Sequence, residues 1–214
     1  MFTGIIEETG IMLSIVQEQD SAALVISCSK VLEDTAVGDS IAVNGICLTV
    51  KDIDGKSFSA DVMPETIRRS CLKETRPGMK VNLERAMAGS RFGGHIVSGH
   101  IDGTGIICGI REEGNAVWYT INTDAELLMY IVSKGSITID GISLTVTQVT
   151  DTAFQVSVIP HTRAITNLAE KENGSTVNLE VDIIGKYVEK FLAAKAKDSV
   201  KNEITEEYLQ ELGF

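Results

Sequence analysis

NGICLTV, at residues 44–50, returns as DGISLTV at residues 140–146. The match widens on both sides. SIAVNGICLTV (40–50) and SITIDGISLTV (136–146) agree at seven of eleven positions, and the four differences are conservative. At the same offset of 96, MPET (63–66) faces IPHT (159–162) and VNLE (81–84) recurs at 177–180. Near the start, GIIEETGI (4–11) faces GHIDGTGI (99–106) at an offset of 95, so one residue was gained in a loop between. Four segments held in order and in register mark a tandem duplication, with halves near 1–95 and 96–185 and a tail at 186–214.

Both halves read mostly as strand. Short alternating runs of Val, Ile and Thr are broken by Gly and Asp, as in NGICLTVKDIDGKSFSADVM and DGISLTVTQVTDTAFQVSVI. Such spacing with DG turns predicts a small antiparallel barrel or sandwich in each half. TDAELLMYIVSKG (123–135) has a capping Thr or Asp, helical apolar spacing and a terminal Gly, which predicts a helix. ETIRRS and HTRAIT predict a helical turn or two after Pro64 and Pro160. In the tail, GKYVEKFLAAKAK places Tyr187, Val188, Phe191 and Leu192 on one helical face and lysines on the other. ITEEYLQELGF predicts a second short helix. A helix outside two self-contained barrels must pack on something, and a second subunit is the natural candidate.

The bulk numbers narrow the class of function. The chain has 214 residues, 43 % apolar and 23 % charged, an ordinary globular mixture. A net charge of −11 argues against nucleic acid or anionic membrane as a partner. MFTGIIEETG carries glutamates where an export signal carries lysines, so a cytoplasmic location is expected. Cys28, Cys47, Cys71 and Cys108 form no CxxC pair, which predicts reduced thiols.

Alternation also says where the polar groups point. Ile46, Leu48 and Val50 share one face of their strand, Cys47 and Thr49 the other; Ser143 and Thr145 are set in the same way against Ile142, Leu144 and Val146. Small barrels fill their interior with branched apolar side chains, so the polar pairs are expected on the outer walls. They are ordinary half-exposed residues or the two faces of a site, and their retention in both copies favours a site. An outer-wall site is shallow, and another barrel must cover it to exclude water. His95 and His100 are five apart and point oppositely on an extended strand, so no shared metal site is expected. His95 reads best as a linker residue bonding backbone. His100 stands in line with Ile5, where a plain barrel would be apolar. Cys47 is a nucleophile or, with no activating neighbour in sequence, a small packed thiol. Lys134 either closes the helix at 124–134 or reaches the wall of Ser143. Asp182 is a surface carboxylate or part of the site.

Taken in order, MFTGIIE, NGICLTV, DVMPET, NLERA, GGHIVSGHIDG, KGSITIDGISLTV, IPHT and the YVEKFL helix resemble the riboflavin synthase family over nearly the whole chain. The resemblance implies a mainly β chain of two closed six-stranded Greek-key barrels. It also implies a C-terminal helix that helps hold a homotrimer, with active sites between the N-terminal barrel of one subunit and the C-terminal barrel of another. The implied reaction is the last step of riboflavin biosynthesis. Two molecules of 6,7-dimethyl-8-ribityllumazine react, one donating a four-carbon unit to the other, to give riboflavin and 5-amino-6-ribitylaminouracil. No metal or redox cofactor is implied. Docking with a lumazine synthase capsid is left open.

Carried over by position, the resemblance assigns to one cradle Gly4, Ile5 and Ile6, Cys47, Leu48 and Thr49, and Asp61, Val62, Met63, Pro64, Glu65 and Thr66. To the second it assigns Gly99, His100 and Ile101, Lys134, Ser143, Leu144 and Thr145, and Ser157, Val158, Ile159, Pro160, His161 and Thr162. For proton handling it points to His100, Ser40, Cys47, Thr145 and Asp182. The halves differ: Glu65 is matched by His161, Cys47 by Ser143 and Phe2 by Val97. Two rival readings remain. A non-catalytic lumazine or flavin carrier of the same fold is expected to lose the polar groups of its second half, and here His100, Lys134, Ser143 and Thr145 are present. A flavoprotein oxidoreductase needs a nicotinamide-binding βαβ unit, and no GxGxxG follows a strand.

Overall fold

β-branched residues that alternate with polar ones fit a pleated, half-buried surface. The computed structural model describes residues 1–17, 22–87, 89 and 92–200, Gln17 and the last five by backbone alone, and the alternating runs are strands in it. The first half contributes β1 (Glu8–Gln17), β2 (Ala22–Ser27), β3 (Ser40–Val43), β4 (Ile46–Ile53), β5 (Ser57–Val62) and β6 (Lys80–Arg85). The second contributes β7 (Gly103–Glu113), β8 (Ala116–Asn122), β9 (Ser136–Ile139), β10 (Ile142–Val149), β11 (Ala153–Val158) and β12 (Thr176–Val181). Each set closes into a barrel, β1-β2-β5-β4-β3-β6 and β10-β11-β8-β7-β12-β9, the same circuit in both. The pairing of β2 with β5 and of β3 with β6 makes the path a Greek key rather than a meander. Even the bulges are duplicated: Met12/Ser14 and Val50/Asp52 in one barrel, Ile107/Gly109 and Val146/Gln148 in the other. Bulges bend and twist strands, which a six-stranded closure requires.

Side chains on the inward face of each circuit make two separate cores. Met12, Leu24, Ile26, Ile41, Phe58 and Leu83 fill the first; Ile107, Tyr119, Ile121, Ile137, Phe154 and Leu179 fill the second. Full burial of each such side chain contributes on the order of 1.5–3 kcal/mol.

The barrels meet at the tips of two hairpins. Asn44-Gly45 links β3 to β4 and Asp140-Gly141 links β9 to β10, each a two-residue turn with both residues at positive φ. The turns abut so closely that a Cβ on Gly45 would lie 2.8 Å from the Gly141 nitrogen, and one on Gly141 would lie 2.7 Å from the Gly45 nitrogen. Only glycine fits on either side. Around them runs a buried lattice of side-chain bonds with two-fold pseudosymmetry. Asn82 Nδ2 donates to the Asp140 carbonyl (2.9 Å), and Asn178 Nδ2 donates to the Asn44 carbonyl (2.8 Å). Asn82 Oδ1 accepts from the Asn167 amide (2.7 Å), and Asn178 Oδ1 accepts from the Cys71 amide (2.8 Å). The symmetry breaks at one point. Asp140 is fully buried and paired with Lys171 at 3.0 Å, whereas the equivalent residues Asn44 and Thr75 are neutral.

Helices are few, and one is shorter than its periodicity predicts. The turns after Pro64 and Pro160 form as expected, α1 (Pro64–Arg68) and, after α2 (Ala125–Leu128), α3 (Pro160–Ala164). The helix predicted over 123–135 is only α2 (Ala125–Leu128). Beyond it Tyr130, Ile131 and Gly135 donate three residues back, and the Lys134 amide reaches the Val146 carbonyl at 2.8 Å. Pairing with β10 thus overrides helical propensity, and Lys134 is not a helix end. Its φ is +66°, at the position Gly38 holds in the first half. Residues Met1–Asp182 form one compact unit, and α4 (Ile183–Val200) belongs to a second. Tyr187, Val188, Phe191 and Leu192 are exposed on α4 as the sequence pattern predicts, with Tyr187 and Phe191 stacked. The predicted helix ITEEYLQELGF lies outside the described residues.

Replacing Asn82 by Ala removes three buried bonds and leaves the Asn167 amide and the Asp140 carbonyl without them. The unfolding free energy should fall by roughly 2–4 kcal/mol, read as a lower urea midpoint at unchanged slope. A change within about 0.5 kcal/mol, as at an ordinary surface site, would show that the lattice contributes little.

Candidate active site

The stretches before β1 and before β7 act as two crossing straps. Phe2 and Val97, equivalent residues at the 95-residue offset, pair with each other as an isolated antiparallel bridge. Past that crossing each strap runs to the opposite barrel. The Gly4 carbonyl accepts from the Ser143 amide on β10, and the Gly99 carbonyl accepts from the Cys47 amide on β4, both at 2.8 Å. Gly4 and Gly99 have φ of +78° and +84°, and a Cβ on either would sit 2.6 Å from the Cβ of Ser143 or Cys47. Ile6 then enters the second core, and Ile101 packs against the first. The backbone therefore brings these stretches together in a different grouping from the one expected from sequence. Gly4–Ile6 accompany Ser143–Thr145, and Gly99–Ile101 accompany Cys47–Thr49.

What holds the straps is a pair of buried glutamates that sequence reading passed over as part of a repeated motif. Glu84 on β6 accepts from the Thr3 amide and hydroxyl (both 2.7 Å) and from the Gly4 amide (3.0 Å). Glu180 on β12 accepts from the Ser98 amide (2.6 Å), the Ser98 hydroxyl (2.7 Å) and the Gly99 amide (3.0 Å). Burial pushes both carboxyls above their usual range, and these hydrogen bonds pull against it. A glutamate kept at the same place in both VNLE strands was the available signal.

The outer walls carry the polar pairs as alternation predicts. Cys47 and Ser143 are half-buried, Thr49 and Thr145 exposed, and Ile46, Val50, Ile142 and Val146 point into the cores. Ser40 pairs with Thr49 across β3–β4, as Ser136 does with Thr145. The surroundings of the two walls differ sharply. Cys47 packs with Phe2, Ala42, Ala86 and Val97, an apolar setting. Thr138 pairs with Ser143 across β9–β10 and Asp182 lies near His95, at the positions where the first half has Ala42 and Ala86. His95, which has no counterpart, bonds the Ser143 hydroxyl through Nδ1 (2.7 Å) and the Thr138 hydroxyl through Nε2 (3.1 Å). The ring of His95 thus ties two side chains rather than the backbone. Its stretch is irregular apart from Val97, yet His95 is buried and His100 exposed.

Other sequence-selected residues differ in their settings. Leu48, Val62, Val158 and Ile6 have their side chains in the cores, so only their backbone can face a ligand. Met63 and Ile159, 70 % and 56 % exposed, form equivalent apolar lips before α1 and α3. On α1, Glu65 is bound by Arg68 (2.6 Å) and Arg69, which hold its carboxyl below the usual range; α3 has His161 there instead. Asp61 pairs with Lys51 at 2.9 Å. A cleft of about 830 Å³ takes in Ser40, Ile5, Thr3, Glu84 and Phe92, but not Cys47, His100 or Thr145. The candidate residues of one chain therefore lie partly in this cleft and partly on exposed wall outside it.

His95 offers a check through pH. Burial lowers its basicity below the usual 6.5, and the nearby Asp182 charge only partly opposes this. The folded chain thus binds fewer protons than the unfolded one just below that pH. Stability should be full above about 6.5 and decline as pH falls toward the lowered value. His95→Gln should shrink the stability difference between pH 7.5 and 5.5, measured by urea unfolding. An unchanged difference would mean that another group carries it.

Comparison with known proteins sets this geometry in a family. The lumazine binding domain family matches residues 3–86 and again 98–182. Riboflavin synthase of Actinobacillus pleuropneumoniae is 54 % identical and that of Bacillus subtilis 52 %, each aligned over all of both chains. Among solved structures, LumP complexed with riboflavin superposes with a TM-score of 0.79 at 31 % identity, covering 85 % of this chain and 99 % of LumP. LumP complexed with 6,7-dimethyl-8-(1'-D-ribityl) lumazine gives 0.76, again at 31 % identity. The chain belongs to the riboflavin synthase family of transferases.

Proposed function

We propose that the two outer walls seat two molecules of 6,7-dimethyl-8-ribityllumazine and that the chain transfers four carbons from one to the other, giving riboflavin and 5-amino-6-ribitylaminouracil. The observation that carries this reading is the duplication of the wall itself. Cys47–Thr49 with strap 99–101, and Ser143–Thr145 with strap 4–6, are built from equivalent parts. A reaction whose donor and acceptor are the same compound needs two such seats. Strand and strap backbone would hold the pteridine edges, and the residues of 61–66 and 157–162 would reach the ribityl chains.

The 7-methyl group of a lumazine is acidic because its anion delocalises into the ring system. Modest proton handling therefore suffices once two bulky heterocycles are aligned, and alignment alone can supply about 7–11 kcal/mol. The candidates for proton handling remain His100, Ser40, Cys47, Thr145 and Asp182. The walls are unequal: the polar group of Ser143, His95, Thr138 and Asp182 suits a seat where charge develops, and the apolar setting of Cys47 suits its partner. This is the basis for assigning donor and acceptor to different barrels.

Open walls need a cover, and the exposed apolar face of α4 offers a means of assembly. We take residues 1–95 and 96–185 as two lumazine-binding barrels that exchange straps, and 186–214 as an oligomerisation segment. In a homotrimer the first barrel of one subunit would face the second barrel of its neighbour. The fit is with a cytoplasmic enzyme; no helix among the described residues is long and apolar enough to cross a membrane. A lumazine synthase capsid is a natural supplier of substrate.

Purified protein mixed with 6,7-dimethyl-8-ribityllumazine, without added metal or nicotinamide, should develop flavin absorbance; an unchanged spectrum would overturn the reading. Ser143→Ala should slow the single-turnover rate by roughly tenfold or more, whereas Cys47→Ser should act mainly on ligand stoichiometry. Equal effects would argue against distinct roles. Ending the chain at residue 185 should lower the sedimentation mass from three chains to one, and turnover should fall with it.

A further inference from the structure

We infer that Glu84 and Glu180 are positioning residues that act across the chain, each setting the ligand wall of the barrel to which it does not belong. This rests on the two-wall reading above. Glu84 is a residue of the first barrel, but the strap it clamps delivers the Gly4 carbonyl to Ser143 of the second. Glu180 belongs to the second barrel, and its strap delivers the Gly99 carbonyl to Cys47 of the first.

The clamp extends one residue further, to the side chains beside each wall. The Thr3 hydroxyl donates to Glu84 and accepts from the Ile5 amide at 3.3 Å. The Ser98 hydroxyl donates to Glu180 and accepts from the His100 amide at 3.1 Å. A carboxylate, a hydroxyl and an amide in series therefore fix where Ile5 and His100 stand. Only a carboxylate suits this place. Each pair of oxygens faces two amides and a hydroxyl, all donors, and an amide side chain would turn its own NH₂ toward one of them. Backbone bonds fix the ends of each strap on its own barrel, Glu7 amide to Leu83 carbonyl and Met87 amide to Met1 carbonyl in the first and Asp102 amide to Leu179 carbonyl in the second, and the glutamate fixes the residues that face the other wall.

The test is the crossed pattern. In protein labelled with ¹⁵N-threonine, the Thr49 amide reports the first wall and the Thr145 amide the second during titration with riboflavin. Glu180→Gln should weaken the binding read at Thr49 by at least about tenfold and leave that at Thr145 little changed; Glu84→Gln should do the reverse. Thr3→Ala and Ser98→Ala, which remove one hydroxyl each, should give the same pattern at smaller size even where a glutamate variant fails to fold. Weakening at the wall of the same barrel, or equally at both walls, would overturn the inference, because general loosening of a barrel predicts that outcome. If neither threonine responds to riboflavin in the unsubstituted protein, the two-wall reading itself fails.

Discussion

The arrangement depends on two backbone hydrogen bonds, Ser143 amide to Gly4 carbonyl and Cys47 amide to Gly99 carbonyl. A half-buried amide at the start of a wall strand must find an acceptor. In this chain the acceptor comes from the other half each time. The exchange explains why Gly4 and Gly99 have no room for a side chain, why a glutamate sits in each VNLE strand, and why Phe2 meets Val97. Neither barrel completes its own wall.

Exchange of straps ties the two walls into one body, and the hairpin tips fix that body a second time. Gly45 and Gly141 touch backbone to backbone, and four asparagines and an aspartate satisfy one another around them. A buried polar lattice of this kind adds less net stability than an apolar one of equal size, but leaving it half-made is costly, so it selects a single relative placement. That placement suits the alignment that the proposed transfer requires. The walls keep their scaffold in common while their chemistry diverges: Cys47 among Phe2, Ala42, Ala86 and Val97, Ser143 among His95, Thr138 and Asp182. On the proposed reading, duplication supplied two seats, and a few substitutions made them unequal.

Much of this was legible in the residues. The doubled NGICLTV/DGISLTV strand gave the two halves, period-two alternation put Cys47, Thr49, Ser143 and Thr145 outside, and the turns after Pro64 and Pro160 followed from proline at a helix start. The crossing of the straps was not, because it is a partner exchange between equivalent segments, and a sequence does not say which copy pairs with which. The helix over 123–135 was overestimated because local periodicity ignores the bond from Lys134 to Val146. His95 was read as a linker residue because its partners, Thr138 and Ser143, lie more than forty positions away. The glutamates were visible only as part of a motif.

Two seats on every chain is the claim from which the chemistry follows. It is tested most directly by calorimetric titration with a ribityllumazine whose 7-methyl group is replaced by hydrogen, which fills a seat but lacks the acidic methyl the transfer needs. The account predicts saturation at two equivalents per chain with two distinguishable affinities, one for each wall. Saturation at a single equivalent would contradict it.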